Sequence, residues 1–400
     1  MKIKVGVIFG GPTVEHEISI ISAVQAMGYM DTSKYDIIPI YITKDRDWYT
    51  GKMLSDMEVY QGFDDLKRYA KKVTLVRKDG GFYLQTLGFW KRCIEEIDIA
   101  FPIVHGNNVE DGTLVGYLET LGIPYVGSGV LGSALGQDKV VMKQVLESAG
   151  LPIVDYRWFY DSEFLNATDS ILKSIEKMGY PVIVKPATLG SSVGITYVKD
   201  KKDIYEAIEE AMKYDNKIIV EKAVENLVEV NCSVLGNYEY QELSEIEEVM
   251  TTEEFLTYQD KYIGNGKGTK NGGSKGMVAT DRVIPARISD ELKKKVQEVS
   301  LATFRALNLS NICRIDFLID KKAKKVYVNE SNTIPGSLSF YLWEPIGVPY
   351  DKLLDRMITI AIKDFKRKQK KVSTFETNVL SNFGGAKGMK GLKGMKTKLK

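Results

Sequence analysis

The sequence predicts an α/β protein that begins with a doubly wound sheet and contains more than one domain. A run of apolar residues at 4–9 ends in Gly-Gly-Pro at 10–12, which is typical of a buried parallel strand followed by a loop. Apolar residues at helical spacing come next, and two further apolar runs follow at 35–41 and 97–104. This alternation of strand, helix and strand indicates a parallel sheet covered by helices. At ~150 residues per domain, the length predicts two or three domains.

The composition is that of an ordinary globular protein. Hydrophobic residues make up 44% and charged residues 27% of the 400 residues, which excludes collagen-like, low-complexity and disulfide-scaffold proteins. Every apolar run is shorter than the ~18 residues of a membrane-spanning helix, and the first is too short for a signal peptide. Three widely spaced cysteines, Cys93, Cys232 and Cys313, form neither a disulfide framework nor a thiolate metal site. We therefore expect a cytoplasmic protein with no membrane partner.

Charge is unevenly distributed along the chain. From Lys363 onward there are twelve Lys and Arg residues and two acidic residues, a net charge of +10. Because the whole chain carries +2, residues 1–362 carry −8. The last part repeats glycine, an apolar residue and lysine at period three, which makes neither a helical nor a strand face. We expect residues 367–400 to be a disordered or loosely ordered basic tail, and a nucleic-acid arm is the alternative.

The alternating pattern continues beyond residue 104. The segment 250–282 is polar, rich in glycine and without periodicity, and loops of this length inside a domain are usually lids or binding loops. Ser289 is placed to cap a helix with one apolar face. The remaining expected elements are strands at 123–126, 181–185 and 217–222 and helices over 133–149 and 203–214.

Gly127, Gly129 and Gly132 match the dinucleotide-binding pattern Gly-x-Gly-x-x-Gly, between a strand and a helix. In a dinucleotide-binding domain this pattern belongs to the first strand–helix turn, whereas the first strand here ends in Gly-Gly-Pro. An acidic residue at a strand end about 20 residues later is also missing. We therefore favour a tight turn that allows helix packing, with a nicotinamide site as the alternative.

Residues 184–195 have the composition of an anion-binding loop. A strand ends at Lys185, and the loop after it places Ser191 and Ser192 between Gly190 and Gly194. Backbone N–H groups and hydroxyls of such a loop bind anions, and the lysine adds a positive charge for a phosphate. An ordinary hairpin turn is the alternative.

Residues 312–332 give the strongest site prediction. Arg314 and Asp316 lie on one face of the strand 312–319. A turn centred near residue 323, midway between Asp316 and Glu330, pairs these two acidic residues across a hairpin and leaves Asn332 on the same face. Two carboxylates and an amide oxygen suit Mg²⁺ shared with phosphates, and Arg314 is placed for an oxyanion or a phosphate. A surface hairpin whose charges pair with lysines is the alternative.

The two histidines, His16 and His105, each follow an apolar strand in a loop near glycine. Parallel-sheet enzymes bind ligands at the carboxyl ends of their strands, so both are candidate site residues. Two histidines without paired cysteines argue against a structural zinc site. A buried, hydrogen-bonded histidine is the alternative at either position.

Five segments together resemble the D-alanine–D-alanine ligases of the ATP-grasp superfamily, over about residues 3–362. In order, they are Phe-Gly-Gly-x-x-x-Glu-His-Glu-Ile-Ser, His-Gly-x-x-x-Glu-Asp-Gly, Tyr-Val-Gly-Ser-Gly-Val-Leu-Gly-Ser-Ala-Leu, Lys-Pro-Ala-x-Leu-Gly-Ser-Ser-Val-Gly and Asn-Glu-Ser-Asn-Thr-Ile-Pro-Gly. The resemblance implies a three-domain ATP-grasp ligase, with an N-terminal α/β domain at 1–134, a small ATP-grasp subdomain at 135–220 and a large one at 221–366. ATP would be gripped between the last two, and the glycine pattern at 127–132 would be a turn that ends the first domain.

The resemblance also implies roles for individual residues. Glu15 would bind the ammonium group of the first D-alanine and would link with Ser191 and Tyr262 to close the lid, while Arg314 and the N–H of Gly336 would form an oxyanion hole. ATP would be bound by Lys139, Lys185, Ser192, Glu221, Lys222, Val224, Glu229 and Lys261. Two Mg²⁺ ions, with Mn²⁺ as a substitute, would be held by Asp316, Glu330 and Asn332. His105, Ser339 and Phe340 would contact the amino-acid substrates.

The implied reaction joins two D-alanines for peptidoglycan precursor synthesis. ATP would convert the carboxylate of the first D-alanine into an acyl phosphate, because hydroxide is a poor leaving group, and the amine of the second would then attack. The implied partners are these small molecules and a second copy of the chain in a homodimer, without nucleic acid.

One segment departs from the family pattern. Only residues 337–341 separate Gly336 from Leu342, where family members usually have a longer loop that binds the carboxylate of the second D-alanine. An ATP-grasp ligase with a different acceptor, such as another D-amino acid, a hydroxy acid or another amine, is therefore the first alternative. A nicotinamide oxidoreductase and a non-catalytic nucleotide-binding protein are remote alternatives.

Overall fold

The computed structural model describes residues 2–62, 66–190, 193–249 and 282–374. Within these ranges the chain forms three sheets packed with helices, which confirms the predicted α/β class. None of the helices in these ranges is long and apolar enough to cross a membrane. Most of the predicted lid and the chain from residue 375 lie outside the described residues.

The first sheet is only partly parallel. In the order β6-β5-β4-β3-β2-β1-β7, β1 is parallel to β2 and β7, as expected from its buried apolar run. The strands from β3 to β6 pair antiparallel instead. No strands were predicted at these positions, because their apolar runs are short and half-exposed. The strands are Ile3–Gly10 (β1), Tyr35–Ile42 (β2), Trp48–Thr50 (β3), Lys71–Lys78 (β4), Gly81–Thr86 (β5), Cys93–Ile97 (β6) and Ile99–Ile103 (β7).

Two of the helices near this sheet, at His16–Tyr29 and Thr113–Leu121, follow the loops after the parallel strands β1 and β7. The first buries Ile20, Ala23 and Met27, the residues whose spacing predicted it. Its N-terminus follows the Gly-Gly-Pro loop, so the residues around Glu15 lie at the carboxyl end of β1. The α-helices are His16–Tyr29 (α1), Leu66–Tyr69 (α2) and Thr113–Leu121 (α3), and short 3-10 helices occupy Lys52–Ser55 and Met57–Gln61.

Two helices, Val130–Gln137 (α4) and Lys139–Ser148 (α5), replace the single helix predicted over 133–149. Asp138 separates them because its backbone is extended and its carboxylate accepts hydrogen bonds from the N–H groups of Val140 and Val141. The glycine pattern before them serves packing, as favoured above. A Cβ on Gly132 would lie 2.7 Å from the carbonyl oxygen of Asn308.

The second sheet is antiparallel and has the order β10-β9-β11-β8. Two helices cover it and bury residues such as Phe164, Ile175 and Ile208 against its apolar strands. Its elements are Tyr156–Tyr160 (β8), Asp161–Met178 (α6), Val182–Pro186 (β9), Thr196–Val198 (β10), Ile204–Met212 (α7) and Lys217–Lys222 (β11).

The third sheet is also antiparallel, in the order β14-β13-β12-β15-β16. The predicted cap of its helix is present, because the Ser289 side chain accepts a hydrogen bond from the N–H of Leu292. Its elements are Leu227–Gly236 (β12), Gln241–Val249 (β13), Arg282–Val283 (β14), Asp290–Ala306 (α8), Asn311–Asp320 (β15) and Lys325–Asn332 (β16).

The C-terminal segment packs against the first sheet. Short 3-10 helices at Gly336–Leu342 and Glu344–Ile346 lead into the helix Tyr350–Gln369 (α9). Leu338 and Trp343 are buried in the same apolar cluster as Phe9 and Ile40. Leu235 of β12 and Ile312 of β15 belong to this cluster too, so the third sheet is tied to the first by buried apolar contacts. The helix α9 continues past the expected start of the tail at 367.

Candidate active site

A polar cavity is lined by residues from the regions of all three sheets. Seven of the predicted site residues contribute to its wall. The lining residues are Glu15, Ile18, His105, Glu110, Gly136, Gln137, Lys139, Gly190, Arg314, Glu330, Ser331, Asn332, Ile334 and Gly336. The sequence motifs of the first, second and third sheets thus meet at one place.

Glu15 lies at the junction of three loops. A Cβ on Gly106 would be 2.8 Å from its Oε2 atom, and a Cβ on Gly190 would be 2.9 Å from the same atom. A side chain at either position would clash with the Glu15 carboxylate. Gly106 also has a φ of +82°, in the left-handed region that favours glycine. The glycines of two motifs therefore make room for the Glu15 carboxylate.

In the hairpin of β15 and β16, Asp316 lies opposite Glu330, as predicted, and Arg314 lies opposite Asn332. A β-bulge between Asp316 and Phe317 shifts the register by one residue nearer the turn. Arg314 binds the Asp316 carboxylate through two hydrogen bonds, from Nε to Oδ1 at 2.7 Å and from Nη2 to Oδ2 at 2.8 Å. Burial disfavours the charged guanidinium, but Asp316 raises the pKa of Arg314 well above its ordinary value. The arginine is therefore a fixed positive charge in the cavity wall.

The acidic side of the hairpin has a donor set that fits Mg²⁺ bound together with phosphate. Among the described residues, no group of three His, Cys, Asp or Glu side chains is arranged to hold a metal. Asp316 and Glu330 offer two carboxylates, and Asn332 donates its Nδ2 to Asp316 at 3.1 Å. Rotating this amide would present its oxygen instead. Such a hard but incomplete oxygen set is typical of Mg²⁺ sites that substrate phosphates and water complete.

Three buried lysines, Lys139 and Lys143 of α5 and Lys185 of β9, lie near Glu221 or the glycine-rich loop. Lys139 Nζ lies 3.6 Å from Glu330 and donates to the carbonyl of Leu189 at 2.7 Å, so it connects the metal-site hairpin with the glycine-rich loop. Lys185 Nζ lies 2.7 Å from one oxygen of Glu221. The third, Lys143, was not predicted as a site residue.

Glu221, predicted to bind ATP, is buried between Lys143 and Lys185. Its Oε1 atom lies 3.0 Å from Lys143 Nζ, and the three side chains are at most 6% exposed. Burial alone would raise the pKa of Glu221, but the two lysines lower it to about 2. The carboxylate is therefore ionised at neutral pH.

The other predicted nucleotide contacts lie at or after the end of β11. Lys222 donates to the carbonyls of Gly179 at 3.2 Å and Tyr180 at 2.8 Å, so its ammonium group is held by backbone. Val224 and Glu229 are half-buried. None of the three lines the cavity, and their contact with nucleotide stays a prediction.

Both histidines are buried and hydrogen-bonded. His16 Nδ1 donates to the Gly11 carbonyl at 2.6 Å, so its Nε2 accepts from the Tyr41 hydroxyl at 2.9 Å. His105 lines the cavity, and its Nε2 lies 3.1 Å from Ser22 Oγ, which in turn accepts from the N–H of Ser337 at 3.0 Å. Burial lowers the pKa of His105 to about 4, so this ring is neutral and supports the loop after Gly336.

Glu110 is a cavity residue to which the sequence analysis gave no role. It accepts hydrogen bonds from the N–H groups of Gly106 and Ile334, both at 2.9 Å, and from the Thr333 hydroxyl at 3.0 Å. Burial raises its pKa to about 7. Its position in the His-Gly-x-x-x-Glu-Asp-Gly motif could have indicated a role from sequence. Its hydrogen bonds show that it joins the loop at Gly106 to the segment 333–334.

Two predicted acceptor residues lie outside the cavity wall. Ser339 is completely buried and ends a left-handed turn in which residues 337–339 have φ between 49° and 53°. Phe340 stacks on Tyr350, with ring centroids 4.5 Å apart. The short loop therefore turns into the apolar core, and neither Ser339 nor Phe340 lines the cavity. Their contact with substrate stays a prediction.

Four further predicted site residues lie outside the described residues. They are Ser191, Ser192, Lys261 and Tyr262.

Comparison with known proteins identifies the family. A family model for the D-ala D-ala ligase N-terminus matches residues 4–128, and one for the C-terminus matches residues 145–359. The D-alanine–D-alanine ligase of Thermosipho melanesiensis is 41% identical over 379 residues, which cover 94% of this chain and 98% of that protein.

Solved structures agree with this match. VanG D-Ala:D-Ser ligase from Enterococcus faecalis has a TM-score of 0.76 and 31% identity, over 90% of this chain and 100% of that chain. D-alanine–D-alanine ligase from Bacillus anthracis, complexed with ATP, has a TM-score of 0.65 and 26% identity, over 92% and 99%. The chain therefore belongs to the D-alanine–D-alanine ligase family.

Proposed function

We propose that this protein uses ATP to join two D-alanines into D-alanyl-D-alanine, for peptidoglycan precursor synthesis. The main support is the single cavity that places Glu15 together with Arg314, Glu330 and Asn332. A carboxylate suited to an ammonium group thus shares a small space with a guanidinium and an oxygen donor set suited to metal and phosphate. Family membership points to the same reaction.

The first D-alanine binds with its ammonium group at Glu15 and its carboxylate toward Arg314. The terminal phosphoryl group of ATP is transferred to this carboxylate, which gives an acyl phosphate and ADP. The amine of the second D-alanine attacks the carbonyl carbon, and phosphate leaves with the bonding electrons as the amine loses a proton. Arg314 and the Gly336 N–H stabilise the negative oxygen of the tetrahedral intermediate, an effect typically worth ~3 kcal/mol per donor.

ATP lies between the second and third sheets, with its phosphates near Lys139 and Lys185. Asp316, Glu330 and Asn332 would hold two Mg²⁺ ions, for which Mn²⁺ could substitute. When bound, the metal offsets charge on the phosphate oxygens during transfer. Lys139 supports this arrangement because it contacts both Glu330 and the glycine-rich loop. The roles that the family pattern implies for Ser191, Ser192, Lys261 and Tyr262 are part of this proposal.

A different acceptor is the second candidate. Ser339 and Phe340, the residues predicted to contact the second amino acid, do not line the cavity. The structurally similar VanG protein is a D-Ala:D-Ser ligase. The acceptor of this chain is therefore D-alanine in our proposal and another D-amino acid, a hydroxy acid or another amine in the alternative.

A substrate panel tests the proposal. The purified protein is given ATP, Mg²⁺ and D-alanine, alone or with D-serine, D-lactate or L-alanine, and ADP and products are followed by coupled assay and mass spectrometry. We expect D-alanyl-D-alanine as the main product. ADP release with D-alanine only in the presence of another acceptor would favour the alternative. Absence of amino-acid-dependent ADP release would reject both.

We also propose that the enzyme is a cytoplasmic homodimer that needs no nucleic acid. Its substrates are small cytoplasmic molecules, and its composition suits a reducing compartment. Sedimentation velocity tests the oligomeric state, and a monomer at micromolar concentration would reject the dimer.

A further inference from the structure

Lys143 is a buried lysine whose charged neighbours include Glu221, Lys185 and Lys139, and it does not line the cavity. It lies one helical turn after Lys139 on α5, and its side chain has no exposed surface. Its ammonium group lies 3.0 Å from Glu221 Oε1, while Lys185 lies 2.7 Å from Oε2. Lys143, Lys185 and Glu221 are all absent from the cavity lining, but of the three only Lys143 has no exposed side-chain surface at all. Lys143 therefore acts on any ligand through Glu221 and Lys185.

The charge balance of these three residues depends on Lys143. Burial lowers the pKa of Lys143, and the Glu221 carboxylate opposes this shift. With both lysines protonated, two ammonium groups and one carboxylate give a net charge of +1. Without Lys143, Glu221 and Lys185 would form a neutral pair, and the whole carboxylate would hold one ammonium group. In a buried site such an attraction is weakly screened, so Lys185 would be held away from a competing phosphate.

We propose that Lys143 is a positioning residue for nucleotide binding, which shares the Glu221 carboxylate so that Lys185 can bind a nucleotide phosphate. The assignment of a phosphate to Lys185 rests on the proposed function. Lys185 also lies 3.3 Å from Asn329 Oδ1, a neutral partner that leaves its charge unbalanced. Burying an ammonium group is costly, and a structural role alone would be met by an apolar residue at this point of α5.

The test compares phosphate-dependent and phosphate-independent binding. Calorimetry measures the dissociation constants of a non-hydrolysable ATP analogue with Mg²⁺ and of adenosine, for the wild type, Lys143→Met and Lys143→Arg. We expect Lys143→Met to weaken analogue binding about tenfold, the usual effect of one charge-assisted interaction, with adenosine binding changed less than about threefold. The KM for ATP should rise while the KM for D-alanine stays within about twofold. Lys143→Arg should keep analogue affinity within about threefold.

Two further variants separate positioning from general stability. Lys294→Met removes an exposed lysine of α8 and should change neither constant. The double variant Lys143→Met/Glu221→Gln removes the competing carboxylate as well, so its ratio of analogue to adenosine affinity should return to within about threefold of the wild type. If Lys143→Met does not fold, this double variant decides. The proposal would be overturned if the ratio of analogue affinity to adenosine affinity were still tenfold below the wild type in the double variant. It would also be overturned if Lys143→Met lost analogue affinity and adenosine affinity equally.

Binding without D-alanine keeps this test separate from the proposed reaction. If the wild-type protein binds the analogue but forms no dipeptide, the proposed reaction is rejected, and the comparison of analogue and adenosine binding still decides the role of Lys143. A wild-type protein that does not bind the analogue would reject both.

Discussion

At the scale of single residues, the chemistry depends on which side chains face each other across one hairpin. Asp316 lies opposite Glu330 because a β-bulge shifts the register between Asp316 and Phe317; in the register nearer the turn, which pairs Asp320 with Lys325, Asp316 would face Asn329 instead. A one-residue slip would move one carboxylate to the opposite face of the sheet. The predicted pairing of the two carboxylates is confirmed, but the sequence did not predict the β-bulge that produces it.

Glu330→Gln should abolish at least about 99% of ADP formation while the protein stays folded. The change keeps the size of the side chain but removes a negative metal ligand next to the transferring phosphate. Steady-state ADP release and circular dichroism measure activity and folding. Glu291→Gln, which changes an exposed glutamate of α8, is the matched control. Near-wild-type turnover of folded Glu330→Gln would reject the metal site.

His105 gives a prediction about pH. Burial lowers its pKa from 6.5 to about 4, so the unfolded chain binds more protons than the folded one between these values. The stability from keeping this ring neutral is present above pH 6.5 and is lost as the pH falls toward 4, by about 3 kcal/mol in total. His105→Gln lacks this proton uptake.

The free energy of unfolding, measured by urea denaturation, should therefore fall more steeply for the wild type than for His105→Gln between pH 6.5 and 4. The two curves should run parallel above pH 7. Parallel curves over the whole range would contradict a neutral, buried His105.

At the scale of elements, the close contact between α4 and β16 sets the shape of the cavity. A Cβ on Gly136 would lie 2.9 Å from Thr333 Cγ2 and 3.2 Å from Ser331 Oγ. These two residues flank Asn332, so this helix fixes the position of a proposed metal ligand. Sequence alone predicted a helix here but not which strand it would touch.

Gly136→Ala should lower the free energy of unfolding by about 1–2 kcal/mol, because crowding against β16 outweighs the better helix propensity of alanine. Gly116→Ala in α3 is the control, since its Cβ would meet only Val130 Cγ2 at 3.9 Å, and it should be neutral or stabilising by up to about 1 kcal/mol. Chemical denaturation measures both. Equal stabilisation of the two variants would show that the α4–β16 contact adapts freely.

Elements with strong local signals were predicted correctly, and those fixed by distant partners were not. The buried strands β1 and β11 and the capped helix α8 follow from apolar runs and a serine cap. The break at Asp138 was missed because aspartate caps or continues a helix depending on its surroundings. Lys143 was missed because its partner Glu221 lies far away in sequence, and local patterns carry no information about such a contact.

At the scale of the whole molecule, the C-terminal helix connects the first and third sheets. Near its end, Arg367 pairs with Glu239, and Lys368 lies 2.9 Å from Glu119. The family, the fold class and the motif residues could be predicted from the sequence, but the boundary of the tail could not. A lysine-rich helix end and a lysine-rich tail have similar compositions, and α9 continues to Gln369.

Removal of residues 375–400 should change activity and melting temperature little, because their glycine–lysine repeat offers almost no apolar surface to bury. Ending the chain after Lys366 should lower the melting temperature by a few degrees more, since it also removes the two exposed ion pairs. Differential scanning calorimetry and ADP release compare the two truncations. A loss of several degrees after the shorter removal would show that the tail stabilises the folded body.

If ligation proceeds through an acyl phosphate of D-alanine, one carboxylate oxygen of the first D-alanine is transferred to the phosphate that is released. D-alanine carrying ¹⁸O in both carboxylate oxygens is incubated with the enzyme, unlabelled ATP and Mg²⁺, and phosphate and dipeptide are analysed by mass spectrometry. Transfer of the phosphoryl group to the carboxylate and attack by the second amine should leave one ¹⁸O atom in each phosphate released, with one ADP and one dipeptide formed per phosphate. Dipeptide formed together with unlabelled phosphate would contradict the acyl-phosphate route.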